Sequence, residues 1–163
     1  LSQLYIHDSL TGLYNRMAYE KLALPLFQQY MQKGRPVGIL FADADHLKYI
    51  NDNFGHDMGN LAIRSIASVI QQQCPVGSIS MRYGGDEFVC VIPDYSQSKI
   101  QQLKESILAS LEEFSSTSRT VFPLEASIGF VVADDPVFSL NDYINLADEK
   151  MYAEKKERKA TRQ

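Results

Sequence analysis

The sequence predicts an α+β domain whose central sheet is at least partly antiparallel. Apolar runs typical of strands alternate along the chain with amphipathic helical repeats, and two of these strands are joined by a Gly-Gly turn. A hairpin makes its two strands antiparallel, which disfavours a doubly wound parallel sheet. With 163 residues, 45% of them hydrophobic and 22% charged, the chain fits one globular domain.

In the first half of the chain, helical spacing predicts a helix from Arg16 to about Lys33. Pro25 should kink or restart this helix, because proline lacks an N–H and clashes with the preceding turn. The segments that follow are predicted as a buried strand at 36–45, a short helix at 46–54, a loop at 55–60 and a helix at 61–73.

In the second half, Gly84 and Gly85 predict a tight hairpin, because glycine supplies the positive φ angles that two-residue turns require. Ser96 is the predicted N-cap of the next helix. The predicted elements are strands at 79–83 and 86–92, a helix at 96–114, one or two strands within 120–133 and a final helix at 139–159.

The composition disfavours several classes of protein. No stretch reaches the roughly 20 apolar residues of a membrane helix and no secretory signal opens the chain, so we expect a cytoplasmic segment that does not insert into membranes. The net charge of −4 argues against nucleic acid as a partner, since phosphate backbones are met by basic faces. Cys74 and Cys90 lack metal-type spacing and are expected to be reduced thiols.

Three acids stand where strands begin or end. Asp43 follows a buried strand, and Asp86 and Glu87 follow the two glycines. If these strands are neighbours, the three carboxylates converge, and a Mg²⁺ or Mn²⁺ ion would offset their repulsion and serve phosphoryl transfer. The alternative is a solvated turn, because Gly-Gly followed by acids is ordinary turn chemistry.

Five stretches, taken in order, resemble the successive motifs of the GGDEF family of diguanylate cyclases. They are DSLTGLYNR (8–16), DADHLKYINDNFGHDMGN (43–60), RYGGDEF (82–88), ASIGF (126–130) and ADEKMYAEKK (147–156). The resemblance implies a palm-like domain with a five-stranded, mainly antiparallel sheet flanked by helices. It also implies that residues 1–7 end an N-terminal signalling or linker helix, 8–160 form one catalytic domain and 161–163 are a tail.

The activity implied by the resemblance is the Mg²⁺- or Mn²⁺-dependent condensation of two GTP molecules into cyclic di-GMP, with release of pyrophosphate. Each protomer would hold one GTP, so the active species would be a homodimer. The parent protein would carry a sensory or regulatory domain on the N-terminal side. The alternatives are a catalytically silent GTP-binding regulatory module and, ranked last, a dimerisation scaffold.

The resemblance also assigns the reacting groups. Asp43, Glu87 and the backbone carbonyl of Ala44 would hold the cation, and Asp86 is the candidate base for the attacking 3′-hydroxyl. The phosphates would contact the backbone N–H groups of the helix start and a basic pair on the last helix. These residues are His46, Leu47, Lys155 and Lys159. At the last of them the family usually has Gly-Arg, where this chain has Arg158-Lys159.

Asn51 and Asn60 match the base-recognition positions, and His56 either lines the nucleotide pocket or has a structural role. The family normally carries Asp at the position of Asn60. A carboxylate accepts both guanine donors, N1–H and N2–H₂, whereas an amide oxygen accepts one while its NH₂ faces the other. Adenine suits an amide better, so relaxed base choice and a cyclic GMP-AMP product are an open alternative.

Some further positions depart from the family pattern or have an expected structural role. Pro75 and Ser78 stand where many members carry the Arg and Asp of an inhibitory product site, so we expect no inhibition through that site. Asp8 and Arg16 are predicted to form an ion pair at the entry turn. The sequence does not decide whether Arg82 is structural or contacts the nucleotide.

Overall fold

The computed structural model describes residues 5–118 and 120–161, which form a four-stranded antiparallel sheet with helices on both faces. The strands are β1 (Val37–Ala44), β2 (Ile79–Arg82), β3 (Glu87–Pro93) and β4 (Ala126–Ala133). They lie side by side in the order β2-β3-β1-β4. The α+β prediction is confirmed, with four strands in the described residues instead of the five that the family resemblance implied.

The helices of the described residues are α1 (Leu24–Gln32), α2 (Leu47–Phe54), α3 (His56–Gln73), α4 (Gln97–Thr117) and α5 (Leu140–Thr161). Ser96 caps α4 as predicted, its hydroxyl accepting the N–H of Lys99 at 3.3 Å. Of the linker helix predicted at 1–7, residues 1–4 lie outside the described residues. The helix α5 extends to Thr161, the first residue of the predicted tail.

Pro25 restarts the first helix, as predicted. A π-helical turn, Tyr19–Ala23, leads into α1, and the N–H of Leu24 donates to the carbonyl of Tyr19. Pro25 lies in the first turn of α1, directly after this π-helical turn. The helical segment therefore begins at Tyr19, a few residues later than the sequence predicted.

The sheet separates two apolar clusters, because successive strand residues point to opposite faces. The helices α3 and α4 cover one face, and the other face is covered by α1 and α5. The first cluster contains the strand residues Leu40, Ala42, Phe88, Cys90 and Ile128. The second contains the strand residues Ile39, Phe41, Val89, Val91 and Val131.

The loop predicted at 55–60 is wrong, because α3 already begins at His56. Gly55, with a φ angle of 93°, ends α2 and turns the chain directly into α3. A Cβ on Gly59 would lie only 1.8 Å from Oδ1 of Asn51 on α2. Most residues of this segment are weak helix formers, so its composition favoured a loop, whereas packing against α2 keeps it helical.

The helix α5 crosses β4 at very short range. A Cβ on Gly129 would lie 2.2 Å from the carbonyl oxygen of Ala147 and 2.3 Å from the backbone nitrogen of Met151. Only glycine leaves room for this approach. It brings the C-terminal end of α5 within reach of the residues that follow β1.

Two further predictions concern the chain as a whole. The thiols of Cys74 and Cys90 are both free, with their Sγ atoms 3.8 Å apart. In the part of the chain that the structure describes, no helix has the length and apolar character to cross a membrane.

Candidate active site

The predicted acids meet at one end of the sheet. β1 and β3 are neighbours, and their register pairs Asp43 with Glu87. One residue further along, the N–H of Ala44 donates to the carbonyl of Asp86 at 2.9 Å. This hydrogen bond fixes the Gly-Gly turn against the end of β1. The condition for convergence of the three acids, that the strands bearing them are neighbours, is therefore met.

Asp43 is the most strongly perturbed acid of this group. The pKa of its carboxyl is raised from 3.8 to about 7, first by burial and then by the negative charge of Asp86, while Lys155 opposes both effects. Oδ1 of Asp43 is buried and has no hydrogen-bond partner among the described residues. The carboxylate therefore lacks part of the positive charge and hydrogen bonding that its ionised form requires.

Glu87 faces a different set of charges. Burial raises the pKa of its carboxyl, Asp86 and Asp148 raise it further, and Arg16 lowers it. Asp43 is not among the groups that shift it, although the two residues are opposite each other in the sheet. The charge of Asp86 thus raises the pKa of both Asp43 and Glu87.

The Gly-Gly turn differs from the predicted hairpin tip. Neither Gly84 nor Gly85 has a positive φ angle, so that part of the prediction is wrong. The N–H groups of Tyr83 and Gly84 both donate to the carbonyl of Glu87, at 2.7 and 3.3 Å, which closes a turn longer than two residues. Gly84 provides space instead, because a Cβ there would lie 2.2 Å from Oε1 of Glu87.

A divalent cation fits the charge at this end of the sheet. Within the described ranges, no three acidic, histidine or cysteine side chains are already grouped as a metal site. Nζ of Lys155 lies 3.2 Å from Oδ2 of Asp43 and offsets part of the negative charge there. Oδ1 of Asp43 is nevertheless unpartnered, and a hard cation prefers such oxygens. Coordination by Asp43, Glu87 and the Ala44 carbonyl stays a prediction.

The basic end of α5 folds onto the acids, with one unexpected member. Nζ of Lys155 lies 3.2 Å from Oδ2 of Asp43 and 3.5 Å from Oδ1 of Asp45. Arg158, which was not predicted to act at the site, contacts Asp45 at 3.2 Å. Lys159 is exposed and forms no ion pair within residues 5–118 and 120–161. Helical spacing could have included Arg158, because i and i+3 share a face.

A cleft of about 300 Å³ opens beside the acids. It lies between α2, α3 and the turn that follows β2. The structure groups in its lining the predicted residues Leu47, Asn51, His56, Asn60 and Asp86. Ile63 and Arg82 also line it. A small cavity with two amides, an imidazole and a carboxylate suits a polar heterocycle better than an apolar ligand.

The start of α2 lies at the rim of this cleft. His46 precedes the helix with a left-handed φ of 60°, and its imidazole is exposed and 3.5 Å from Glu125. Neither the N–H of His46 nor that of Leu47 has a hydrogen-bond acceptor within the described ranges. Free N–H groups at a helix start attract anions. This agrees with a backbone role for both residues.

Arg82 has a structural role. Its guanidinium lies 3.3 Å from Asp8 and donates to the carbonyl of Gly85 at 2.7 Å. The predicted ion pair between Asp8 and Arg16 is therefore wrong, because Arg16 stacks on the ring of Tyr83, 4.1 Å from its centroid. The ion pair between Asp8 and Arg82 was not predicted, because the two residues lie far apart in the sequence. Arg82 thus joins the entry turn to the turn that carries the acids.

The residues at the predicted inhibitory positions lie in the loop after α3. Ser78 donates its hydroxyl to the carbonyl of Pro75 at 2.5 Å, and neither side chain carries a charge. The absence of product inhibition through this loop stays a prediction.

Comparison with known proteins agrees with this geometry. The sequence profile described as "Diguanylate cyclase, GGDEF domain" matches residues 5–161. Diguanylate cyclase VdcA of Vibrio cholerae is 36% identical over 154 residues, which cover 92% of this chain and 44% of that protein. The cyclic di-GMP phosphodiesterase NbdA of Pseudomonas aeruginosa is 30% identical over 130 residues, covering 79% of this chain and 16% of that protein.

A solved structure extends the likeness to three dimensions. The GGDEF domain of DgcB from Caulobacter crescentus, crystallised in complex with c-di-GMP, superposes with a TM-score of 0.85 at 29% identity. The superposition covers 93% of this chain and 90% of that one. The chain spans less than half the length of the two curated relatives named above.

Proposed function

We propose, on the premise that the chain belongs to the GGDEF family of diguanylate cyclase domains, that it condenses two GTP molecules into cyclic di-GMP and releases pyrophosphate. One observation carries the proposal. Asp86 lines the cleft that groups the base-recognition residues, and its carboxylate is electrostatically coupled to Asp43. A nucleotide whose base is bound in the cleft would therefore place its phosphates next to the acids and Lys155.

We assign the cation site to Asp43, Glu87 and the carbonyl oxygen of Ala44, occupied by Mg²⁺ or Mn²⁺. When bound, the cation would draw negative charge from the transferring phosphate and the leaving pyrophosphate. The unpartnered Oδ1 of Asp43 and the repulsion from Asp86 support this assignment, because both make a positive charge favourable there.

The protein's own side chains would orient GTP and accept a proton. The N–H groups of His46 and Leu47 and the ammonium of Lys155 would bind phosphate oxygens. Asp86 would accept the proton of the attacking 3′-hydroxyl, since it lies between the cleft and Asp43. The 3′-oxygen of one GTP would bond to the α-phosphorus of the other as the bond to the β-phosphate breaks.

A homodimer would follow from the symmetry of this reaction. Each chain has one such cleft among its described residues, whereas the product contains two nucleotides joined by two equivalent bonds. Two chains facing each other would supply both nucleotides. A weakly dimerising chain would then look inactive at low concentration.

The test is a product assay by mass-resolved chromatography with GTP, Mg²⁺ and high protein concentration. Cyclic di-GMP is the expected product, and Glu87→Gln should lower its rate of formation by about a hundredfold or more with the fold intact. Glu113→Gln, which removes an exposed carboxylate on α4, is the matched control. Full activity of Glu87→Gln would remove Glu87 from the cation site.

The same assay tests a second proposal, relaxed base choice. The cleft groups two amides, Asn51 and Asn60, and no carboxylate other than Asp86 among its lining residues. Because an amide pairs with adenine at least as well as with guanine, ATP should compete with GTP. A mixture of both nucleotides should yield some cyclic GMP-AMP, and Asn60→Asp should suppress it. Cyclic di-GMP alone from wild type would make Asn60 a tolerated substitution.

A silent GTP-binding regulatory module is the remaining alternative. The ion pair of Lys155 with Asp43 leaves the acids partly neutralised, and one relative is named as a phosphodiesterase. GTP binding without product, even for chains joined by a fused coiled-coil dimeriser, would establish this alternative. Loss of both binding and product would contradict every nucleotide role.

We also propose that this domain works in the cytoplasm as part of a longer signalling protein. The greater length of the relatives supports this, as does a solved structure that joins a coiled coil to the GGDEF domain of DgcB. No role for nucleic acid or membrane insertion by this segment is proposed.

A further inference from the structure

Asp45 is a buried carboxylate with its own set of partners. It follows β1, two residues after Asp43, and only 6% of it is exposed. Its Oδ1 accepts the hydroxyl of Ser127 at 2.7 Å, and its Oδ2 accepts Nη2 of Arg158 at 3.2 Å. Nη2 of Arg158 also donates to the Ser127 hydroxyl. Asp45, Ser127 and Arg158 thus form a closed triangle beside the site.

Lys155 is shared between this triangle and the proposed reaction site. Its Nζ lies 3.2 Å from Oδ2 of Asp43 and 3.5 Å from Oδ1 of Asp45. The two carboxylates therefore compete for one ammonium group. A buried carboxylate attracts the nearest cation strongly, because little water is present to screen or solvate its charge.

We propose that Arg158 is a positioning residue: by compensating the buried charge of Asp45, it leaves Lys155 available for the nucleotide phosphates. The inference rests on the proposed function, because it needs phosphates at the end of β1. With Arg158 in place, Lys155 can exchange Asp43 for a phosphate oxygen without leaving Asp45 uncompensated. Without Arg158, Lys155 is the one positively charged side chain within the described residues that still pairs with Asp45.

The inference makes a specific prediction for Arg158→Ala. Lys155 should be held by Asp45, and GTP should lose one charge-assisted contact, which weakens binding by about ten- to hundredfold. Removing the competing charge should reverse the loss. In the double variant Arg158→Ala/Asp45→Asn, affinity should return to within about threefold of wild type.

The experiment measures the affinity of the full chain for a non-hydrolysable GTP analogue with Mg²⁺ by calorimetry, together with kcat, KM and thermal unfolding. Arg158→Lys should keep most of the affinity, because it keeps the charge. Lys156→Ala, an exposed position on the same helix, removes the same charge and should bind like wild type. If Arg158→Ala does not fold, the affinities of Arg158→Lys, Asp45→Asn and the double variant are compared instead.

Two results would overturn the inference. One is wild-type affinity in Arg158→Ala. The other is a double variant that is folded but binds as weakly as Arg158→Ala, because Arg158 would then anchor α5 or contact phosphate itself. If wild type and Lys156→Ala bind the analogue but form no product from GTP, the proposed catalysis fails. The measured affinities still test the positioning role of Arg158 in that case. If wild type does not bind the analogue, both proposals fail.

Discussion

Asp43→Asn should stabilise the nucleotide-free domain at pH 8 while removing its proposed activity. The carboxylate of Asp43 is mostly buried, has an unpartnered Oδ1 and lies next to Asp86. Raising its pKa from 3.8 to about 7 corresponds to an electrostatic cost of about 4 kcal/mol for the ionised folded state. Because the side chain is 16% exposed, water screens part of this repulsion, and we expect a gain of about 2 kcal/mol.

The gain should depend on pH in a defined direction. Between pH 3.8 and about 7 the folded protein holds a proton on Asp43 that the unfolded chain has released, so wild-type stability falls as the pH rises. Asparagine has no such proton. The difference between the two proteins should therefore be small near pH 4 and complete at pH 8.

Urea unfolding followed by circular dichroism, with EDTA present, measures this difference at pH 4.5, 6 and 8. Asp52→Asn is the matched control, because Asp52 is exposed on α2 and water screens its ion pair with Lys48. A variant less stable than wild type at pH 8 would refute the reasoning, as would a gain that is equal at pH 4.5 and pH 8. In the product assay, Asp43→Asn should lose about a hundredfold or more in rate.

Two further variants test the cleft and the entry turn. Gly59→Ala should raise the KM for GTP about tenfold with little change in stability. The added Cβ would lie 1.8 Å from Oδ1 of Asn51 and would displace that amide from the cleft. An unchanged KM in steady-state kinetics would mean that Asn51 does not contact the base. Asp8→Asn should cost about 1 to 2 kcal/mol at pH 7, because it weakens the hydrogen bonds that the carboxylate accepts from Thr11 and removes its ion pair with Arg82. Because the pKa of Asp8 is lowered in the folded state, that loss should shrink in urea titrations as the pH falls below about 4 towards the lowered pKa of the folded state, and a loss as large at pH 3 as at pH 7 would contradict the ionic explanation.

The sequence predicted most of the secondary structure because the strong signals are local. The short apolar run before Asp43 follows a proline and ends in acids, which favours a buried strand, and the apolar residues of α4 recur at helical spacing. Pro25 marks the restart of the first helix by its own covalent structure. Local signals also placed Asp43, Asp86 and Glu87 at strand ends, and the order of the motifs then indicated that these ends meet.

The predictions that were wrong depend on contacts between distant parts of the chain. The helix starting at His56 uses residues that favour a loop, and its close packing on Asn51 through Gly59 is not visible from composition. The two glycines of the turn were assigned positive φ angles from turn statistics. Gly84 is instead required by the position of the Glu87 carboxylate, which depends on the folded turn.

The basic end of α5 illustrates why a site can be located from sequence before its members can be identified. Arg158 and Lys159 lie three and four residues after Lys155, so helical spacing places both beside it and cannot choose between them. Arg158 is the one held by the protein, because it donates hydrogen bonds to Asp45 and Ser127, which precede it in the sequence by 113 and 31 residues. These acceptors lie side by side only because β4 pairs with β1, and α5 faces them because Gly129 admits it closely. The charge pattern of a helix therefore predicts that it binds anions, whereas the neighbouring strands determine which cation is held by the protein and which is left for a ligand.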